Sequence, residues 1–483
     1  MPWTFEQRAD VSAIRAKIDH PIVDVDAHMI EAEFAFPDFL KKVGGPEIAE
    51  RFAKLRANRG DRNRGAFWGS PSGKYSIDRI TVMLPRLYRQ RLEEAGIDFG
   101  IVYTSLGLGA MWVRDAELRR AYHRALNLMY ADMYRDVQDR LIPAAMIPTQ
   151  TLEEAIDELE YAVGELGFKV ITVAGERRRA HPEIEHLAPH LASYSQIVEP
   201  LMLEEPTAYD RFWQRCQELK VAVTSHSGAQ GTQRHNSRAN FVYNRLGSFG
   251  VGGEHFARSL FLAGVTRRFP DLTFGFLEGG VARICALYND LFEFWEKRNP
   301  RALHENCNPA ELDTELMARM AAEYGNDWLT SENIRTNPHN QFSRPTDTPA
   351  QLDDFAACGI AEEEDIKSLF VPNFYIGCEA DDRMNACAFD TRLNHKGARL
   401  KAMFSSDIGH WDVVDMTGVV PSAYGLVRRG LITDDDFRDF MFTNAVEMHG
   451  RMNPNFFKGT AVEAEAEKVL ARFREPKTTQ AAE

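Results

Sequence analysis

The sequence is poor in cysteine and poor in any excess of positive charge, and each shortage excludes a class of protein. Its 483 residues include six cysteines, Cys216, Cys285, Cys307, Cys358, Cys378 and Cys387, with no CxxC pair among them. That spacing offers neither a disulfide framework nor a thiolate zinc site. Basic residues number 57 against 71 acidic, a formal charge of -14, so no basic footprint exists to displace counterions from nucleic acid. No apolar run approaches the ~18 residues needed to cross a bilayer. The opening MPWTFEQRADVSAIRAKIDH has no apolar stretch of the kind that directs export, and the expectation is a cytoplasmic protein. No GxGxxG opens a helix after a strand, and there is no internal repeat or low-complexity block.

What is present is an alternation of β-rich and helical patterns from residue 22 to about residue 430. The strand candidates are 22–28 (IVDVDAH), 97–105 (IDFGIVYTS), 141–148 (LIPAAMIP), 169–175 (KVITVAG), 221–228 (VAVTSHSG), 272–280 (LTFGFLEGG), 374–382 (FYIGCEADD) and 400–412 (LKAMFSSDIGHWD). Helical spacing lies between them, as in Leu118, Tyr122, Leu126, Met129, Met133, Val137 and in Leu152, Ile156, Leu159, Val163, Leu166. Eight strands with intervening helices predict an α/β protein, a distorted (β/α)8 TIM barrel; an open doubly wound sheet is the alternative. The expected division is an N-terminal extension over 1–20, the barrel over 21–460 and a charged helix with a polar tail over 461–483. Two insertions, 29–90 after strand 1 and 297–370 before strand 7, are too long for simple connections and are expected to cover one end of the barrel.

The first strand carries the sharpest chemical signal. Side chains two apart share a face, so Asp24, Asp26 and His28 line up while Val23 and Val25 oppose them. The bland reading is a half-exposed strand with a wet polar face. The sharper one is a metal site, because a carboxylate and an imidazole at one strand end reach a single divalent ion. Further ligands would have to come from other strand ends, and His226 and Asp407 stand at such ends. Taken alone, His226 is equally a hydrogen-bonded core histidine, and Asp407 equally a helix N-cap.

The chain resembles the amidohydrolase superfamily, in particular its amidohydrolase-related branch with aminocarboxymuconate-semialdehyde decarboxylase and the resorcylate decarboxylases. The matching segments are VDVDAHMIE, TSHSG, RFPDLTFGFLEGG, FSSDIGHWD and NAVEMHGRMNPNFFKGT, spread in order over roughly residues 20 to 460. The resemblance implies a barrel with a catalytic divalent metal at its C-terminal mouth and a homodimer or larger homo-oligomer. It places Asp26 and His28 in the first-strand pair, His226 at the fifth strand and Asp407 at the last. Two departures stand out. The first-strand pair is Asp-x-His, and the sixth strand ends in Glu278 where many relatives have a proton-shuttling histidine.

From the residues alone, one divalent ion, zinc or manganese, would activate water, with Asp407 as general base. Glu278 would act as a second acid or base or hold the water, and His226 would sit close enough to take part. Glu379, His255 and His410 are candidate substrate-binding groups near the mouth, while Asp382 and Asp412 are read as caps or arginine partners. Lys169 precedes its strand and is read as a solvated lysine, which leaves one metal rather than two. Arginines crowd residues 51 to 91 (Arg51, Arg56, Arg59, Arg62, Arg64, Arg79, Arg86, Arg89, Arg91), and a substrate-carboxylate clamp is weighed there against a solvated surface, as for Arg177, Arg178 and Arg179. The first functional reading is a metal-dependent hydrolase of a small carboxylated or cyclic compound, towards which the missing sixth-strand histidine tilts. The second is a nonoxidative decarboxylase with Asp407 as the acid, and the third a barrel kept for binding or assembly. No nucleic-acid or membrane partner is expected.

Overall fold

All eight segments contain a strand in the computed structural model, which describes residues 5–59, 71–105, 107–192, 195–226, 237, 239–339, 344 and 346–474. The strands are β1 (Val23–Met29), β2 (Phe99–Thr104), β3 (Leu141–Pro143, continued as Ala145–Met146) and β4 (Val170–Thr172). They continue with β5 (Ala222–His226), β6 (Phe274–Leu277), β7 (Phe374–Glu379) and β8 (Lys401–Ser405). Each pairs in parallel with the next. The ring is joined where the His28 amide donates to the Ile408 carbonyl at 2.9 Å and the Asp407 amide to the Asp26 carbonyl at 3.0 Å. An open sheet would leave β1 and β8 as edges, so these two bonds decide for a distorted (β/α)8 barrel.

Every residue of β1 is buried, polar and apolar alike. A barrel strand has side chains filling the interior on one face and helices covering the other. The alternation of Asp24, Asp26 and His28 with valines therefore separates inside from outside, and the wet-face reading fails. Covering helices include Ala116–Met133, whose Leu118, Tyr122, Leu126 and Met129 are buried as the spacing predicts. Asp115 caps that helix by accepting from the Leu118 amide, and Thr151 caps the next one, Leu152–Leu159, through the Glu154 amide. Burying such side chains contributes about 1.5 to 3 kcal/mol each.

The stretch after β1 forms a long kinked helix, Phe36–Arg59, that breaks at Gly45 (φ 79°) just before Pro46. Phe36, Phe52 and Tyr122 pack with tilted and edge-to-face rings at about 5 Å and fix it to the helix after β2. Farther on, the Asp78 carboxylate accepts from Arg91 at 2.6 Å and from the Met416 amide at 3.0 Å. This insertion is thereby tied to the segment leaving β8, at the C-terminal end of the strands. The stretch before β7 carries the helices Pro300–Asn306, Thr314–Tyr324, Ser331–Thr336 and Glu363–Phe370. No described helix is long and apolar enough to cross a membrane.

Two expectations need correction, and the arginine-rich stretch resolves. Lys169 is not solvated: half-buried at the start of β4, it donates to the Phe456 carbonyl at 2.7 Å. An antiparallel ribbon, Glu176–Ala180 against Gln196–Pro200, follows β4 and was not foreseen; in it Arg177 and Arg179 pair with Glu199, and Arg178 pairs with Glu176 and lies over the Trp112 ring. Of the arginines over 51–91, Arg51, Arg56, Arg86, Arg89 and Arg91 all engage acidic residues of the chain itself. Arg79 is exposed, and Arg62, Arg64 and the Arg59 side chain lie outside the described residues.

Candidate metal centre

The centre begins with an irregularity in β1. Asp24 is level with Gly100, yet Ala27 is level with Val102, so β1 has one residue more than β2 over this stretch. Such a bulge re-aims the side chains around it. Asp24 turns to β8, where its carboxylate accepts from both the amide and the hydroxyl of Ser406 and also from the Asp26 amide. Burial pushes Asp24 up to about 7 in spite of these donors. It is a strut between the first and last strands. Ser405 supplies a hydroxyl to one oxygen of Asp26 at 3.3 Å, which leaves the other, Oδ1, without a hydrogen-bond donor.

That oxygen faces two imidazoles, His226 Nε2 at 3.4 Å and His28 Nε2 at 3.6 Å. The two Nε2 atoms are 3.0 Å apart, and Asp407 Oδ1 is 3.1 Å from His28 Nε2. All four side chains are buried, and the Asp407 oxygens have no hydrogen bond beyond the close contact of Oδ1 with His410 Nδ1 at 2.6 Å. Orphaned carboxylate oxygens in a water-poor interior are costly unless a cation joins them. Two sets of ligand atoms lie within 4.8 Å of one another, Asp26, His28 and His226, and His28, Asp407 and His410. Imidazole and carboxylate donors of this kind suit a divalent transition metal, so the residues fit such an ion.

The electrostatics separate the three histidines. Burial, reinforced by His410 and His226, drives His28 well below its ordinary value and keeps it neutral, the form that ligates. For His226 burial works downward too, but Asp26 and Glu278 outweigh it and the net shift is upward. His410 is raised well above its usual range because Asp407, 2.6 Å from its Nδ1, and Glu278 at 3.7 Å overcome burial. Glu278 is held at about 2, since His226, 3.3 Å from its Oε2, and His410 prevail over the cost of burial. Behind His410, the Ser105 hydroxyl is 3.3 Å from Nε2 and gives its own hydrogen to the Met29 carbonyl at 2.8 Å. The Ser105 amide donates to Glu31, a buried carboxylate that also accepts from Thr104 and from Tyr130.

Backbone strain marks the same place. Glu278 (φ 57°) and Asp407 (φ 54°) are non-glycine residues in the left-handed region, which side chains enter at a cost of about 1 to 3 kcal/mol. Gly409 has φ 114°, and a Cβ there would stand 3.3 Å from both the Cβ and the carbonyl of His28. These conformations end β6 and β8 abruptly and swing the carboxylates inward. The eighth strand is accordingly shorter than the 400–412 expected.

Of the residues singled out in the sequence, Asp26, His28, His226 and Asp407 converge, with Glu278 and His410 against them. Glu379 closes β7 and lines a cleft that also reaches Asp407; burial, then Asp407 and Asp412, pushes it up to about 8. His255 is half-buried on the helix Ser248–Leu262, outside both ligand sets. Sequence reasoning assigned no role to Asp24, Ser105, Glu31 or Ser406. Glu31 stood in VDVDAHMIE and Ser105 at the end of its strand, but nothing local linked either to His410.

A family model described as amidohydrolase matches residues 23–307, more than half of the chain. The chain belongs to the amidohydrolase family. Membership and the convergent cluster agree with an enzyme, a metal-dependent hydrolase or carboxy-lyase. No match was found among curated proteins. Among solved structures, this amidohydrolase is similar to an amidohydrolase from Mycobacterium avium subsp. paratuberculosis K-10, with 14% identity, 90% of this chain and 100% of that one covered, and a TM-score of 0.49. A 2,6-dihydroxybenzoate decarboxylase from Rhizobium matches at 14% identity, 89% and 98% coverage and a TM-score of 0.48. A 5-carboxyvanillate decarboxylase from Novosphingobium aromaticivorans DSM 12444 matches at 14%, 93% and 99%, with a TM-score of 0.46.

Proposed function

We propose that the protein is a metal-dependent carboxy-lyase, acting on a small cyclic or unsaturated carboxylic acid beside one divalent ion, manganese or zinc, held by Asp26, His28, His226 and Asp407. The observation that carries the metal is the group of orphaned oxygens and facing imidazoles described above. When bound, the ion supplies a Lewis acid for an oxygen of the substrate. Asp26 and His28 come from one strand, His226 and Asp407 from two others, so the rigid barrel sets the spacing of the donors.

The reaction follows from the inventory of protons. His410 faces carboxylates through Nδ1 and a hydroxyl through Nε2, and that hydroxyl spends its hydrogen on the Met29 carbonyl. Both ring nitrogens are therefore donors, and His410 keeps a proton directly against Asp407. Loss of carbon dioxide requires a proton delivered to the carbon that the carboxyl group leaves, and Asp407 is placed to pass that proton on. Glu278 holds His226 and His410 in register from the sixth strand, in the position where the resemblance expects a histidine.

Hydrolysis is the second reading, favoured by the 3.1 Å approach of Asp407 to His28, which puts a carboxylate base among the metal donors. The test is to load the purified protein with manganese or zinc and screen cyclic and aromatic carboxylic acids in ¹⁸O-labelled water. Carbon dioxide released mole for mole, with no label entering the remaining product, is the expected result. Label in the product without carbon dioxide overturns carboxy-lysis in favour of hydrolysis. Protein that retains no metal on dialysis overturns both.

A further inference from the structure

A cleft of about 480 Å³ opens beside the centre, and Asp407 is the one member of the ligand cluster that lines it. Its near wall is acidic, with Glu379 and Asp412 beside Asp407. Its far wall is one face of the helix Val419–Arg428 with its N-cap Gly418, along which Pro421 and Ser422, then Gly425, then Arg428 follow at the spacing of successive helical turns.

This far wall carries cations that no described acidic residue pairs with. Arg428 donates to the Pro421 carbonyl at 2.9 Å, which folds its guanidinium back along the helix into the cleft. Arg429 lies over Gly425 so closely that a Cβ at that position would meet its Nη1 at 2.6 Å. Glycine there leaves the room that the guanidinium occupies. Arg8 also lines the cleft but is paired with Asp10 at 2.8 Å and Asp415 at 3.2 Å. No ion pair engages Arg428 or Arg429 among the described residues. The arginines of the insertion that engage partners are bound to the chain's own acids, as described above, so among the described residues this pair is the cationic feature of the cleft that has no acidic partner.

We propose that Arg428 and Arg429 form an anion subsite, so that the substrate carries a second carboxylate, held at the helix while its other end reacts beside Asp407. The proposal rests on reading the cluster as the active centre, and it names the substrate class as a dicarboxylate. Planar guanidinium forks suit carboxylate oxygens, and one engaged in a charge-assisted contact distinguishes a charged group from an apolar one by about tenfold or more in affinity.

Adipate and hexanoate have equal chain lengths and differ by one carboxylate, and calorimetric titration of manganese-loaded protein with each is the test. The dianion is expected to bind about tenfold more tightly. The double variant Arg428→Met/Arg429→Met should bind both alike at unchanged metal content, and Gly425→Ala, which displaces only Arg429, should narrow the gap. Equal binding of the two acids by the unaltered protein, or a dianion preference that survives the double variant, overturns the subsite. Repeating the titration on chelator-stripped protein separates the two ideas. Discrimination that depends on the arginines in a protein that never takes up metal would sink the metal centre and leave the subsite standing.

Discussion

Replacing His226 with alanine removes the donor that the fifth strand contributes and leaves Asp26 Oδ1 facing His28 alone. In the intact protein at a metal concentration a hundred times Kd, binding to the native state adds about 2.7 kcal/mol of stability. Outer partners that only orient a ligand already change metal affinity by about 10- to 100-fold. His226 points its own Nε2 into the cluster, 3.0 Å from that of His28, so the upper end of that range is a floor. A hundredfold loss brings Kd up to the metal concentration, and the stabilisation falls to about 0.4 kcal/mol. The expected signature is a loss of about 2 kcal/mol in the manganese- or zinc-dependent part of the unfolding free energy. It is read from denaturant curves of stripped and reloaded protein, with elemental analysis beside them. Because stripped wild type and stripped variant are compared separately, the packing cost of the truncation cancels out of the metal-dependent difference. A His226→Ala protein that still binds one equivalent, with the full metal-dependent gain, would refute the assignment.

Other expectations concern chemistry and pH. Asp407→Asn should lower turnover by about 10² to 10⁴, the usual worth of a proton-transferring group, and steady-state rates on any substrate found will check it. Ser105→Ala should leave metal content unchanged while lowering kcat more than it raises KM, by about tenfold, because His410 loses the acceptor behind Nε2; parallel changes in both constants would contradict that positioning role. Two histidines far from the centre set an acid limit. Burial holds His449 at about 3 and His123 at about 4, both depressed below an unfolded value near 6.5. The unfolded chain binds the extra protons, so stability is complete above pH ~6.5 and falls as pH drops towards 4, by roughly 3 kcal/mol for each histidine. Denaturation midpoints across pH 4 to 7 should show this slope, and His449→Leu should flatten it; an unchanged slope would dissociate His449 from the acid limit.

The sequence by itself determined which segments are strands, because β-branched and aromatic runs of the right length alternate with helical spacing whatever the surroundings. It also marked the residues that converge at the proposed metal centre. Asp26-x-His28, His226 and Asp407 each stand at a strand end, and parallel strands around a ring bring their ends together. Tertiary structure alone decided the rest. The bulge in β1 arises from its pairing with β2, and it turns Asp24 into a strut to Ser406 rather than a third ligand. The left-handed turns at Glu278 and Asp407 end their strands early, and the packing around them at the mouth of the barrel holds the side chains in that strained conformation. His410 meets Glu278 and Ser105 across 132 and 305 positions of chain, and Arg428 faces a cleft whose opposite wall comes from the ends of the seventh and eighth strands. Local periodicity has no means of encoding such distances, which closure of the ring fixes through the packing of all eight strands at once.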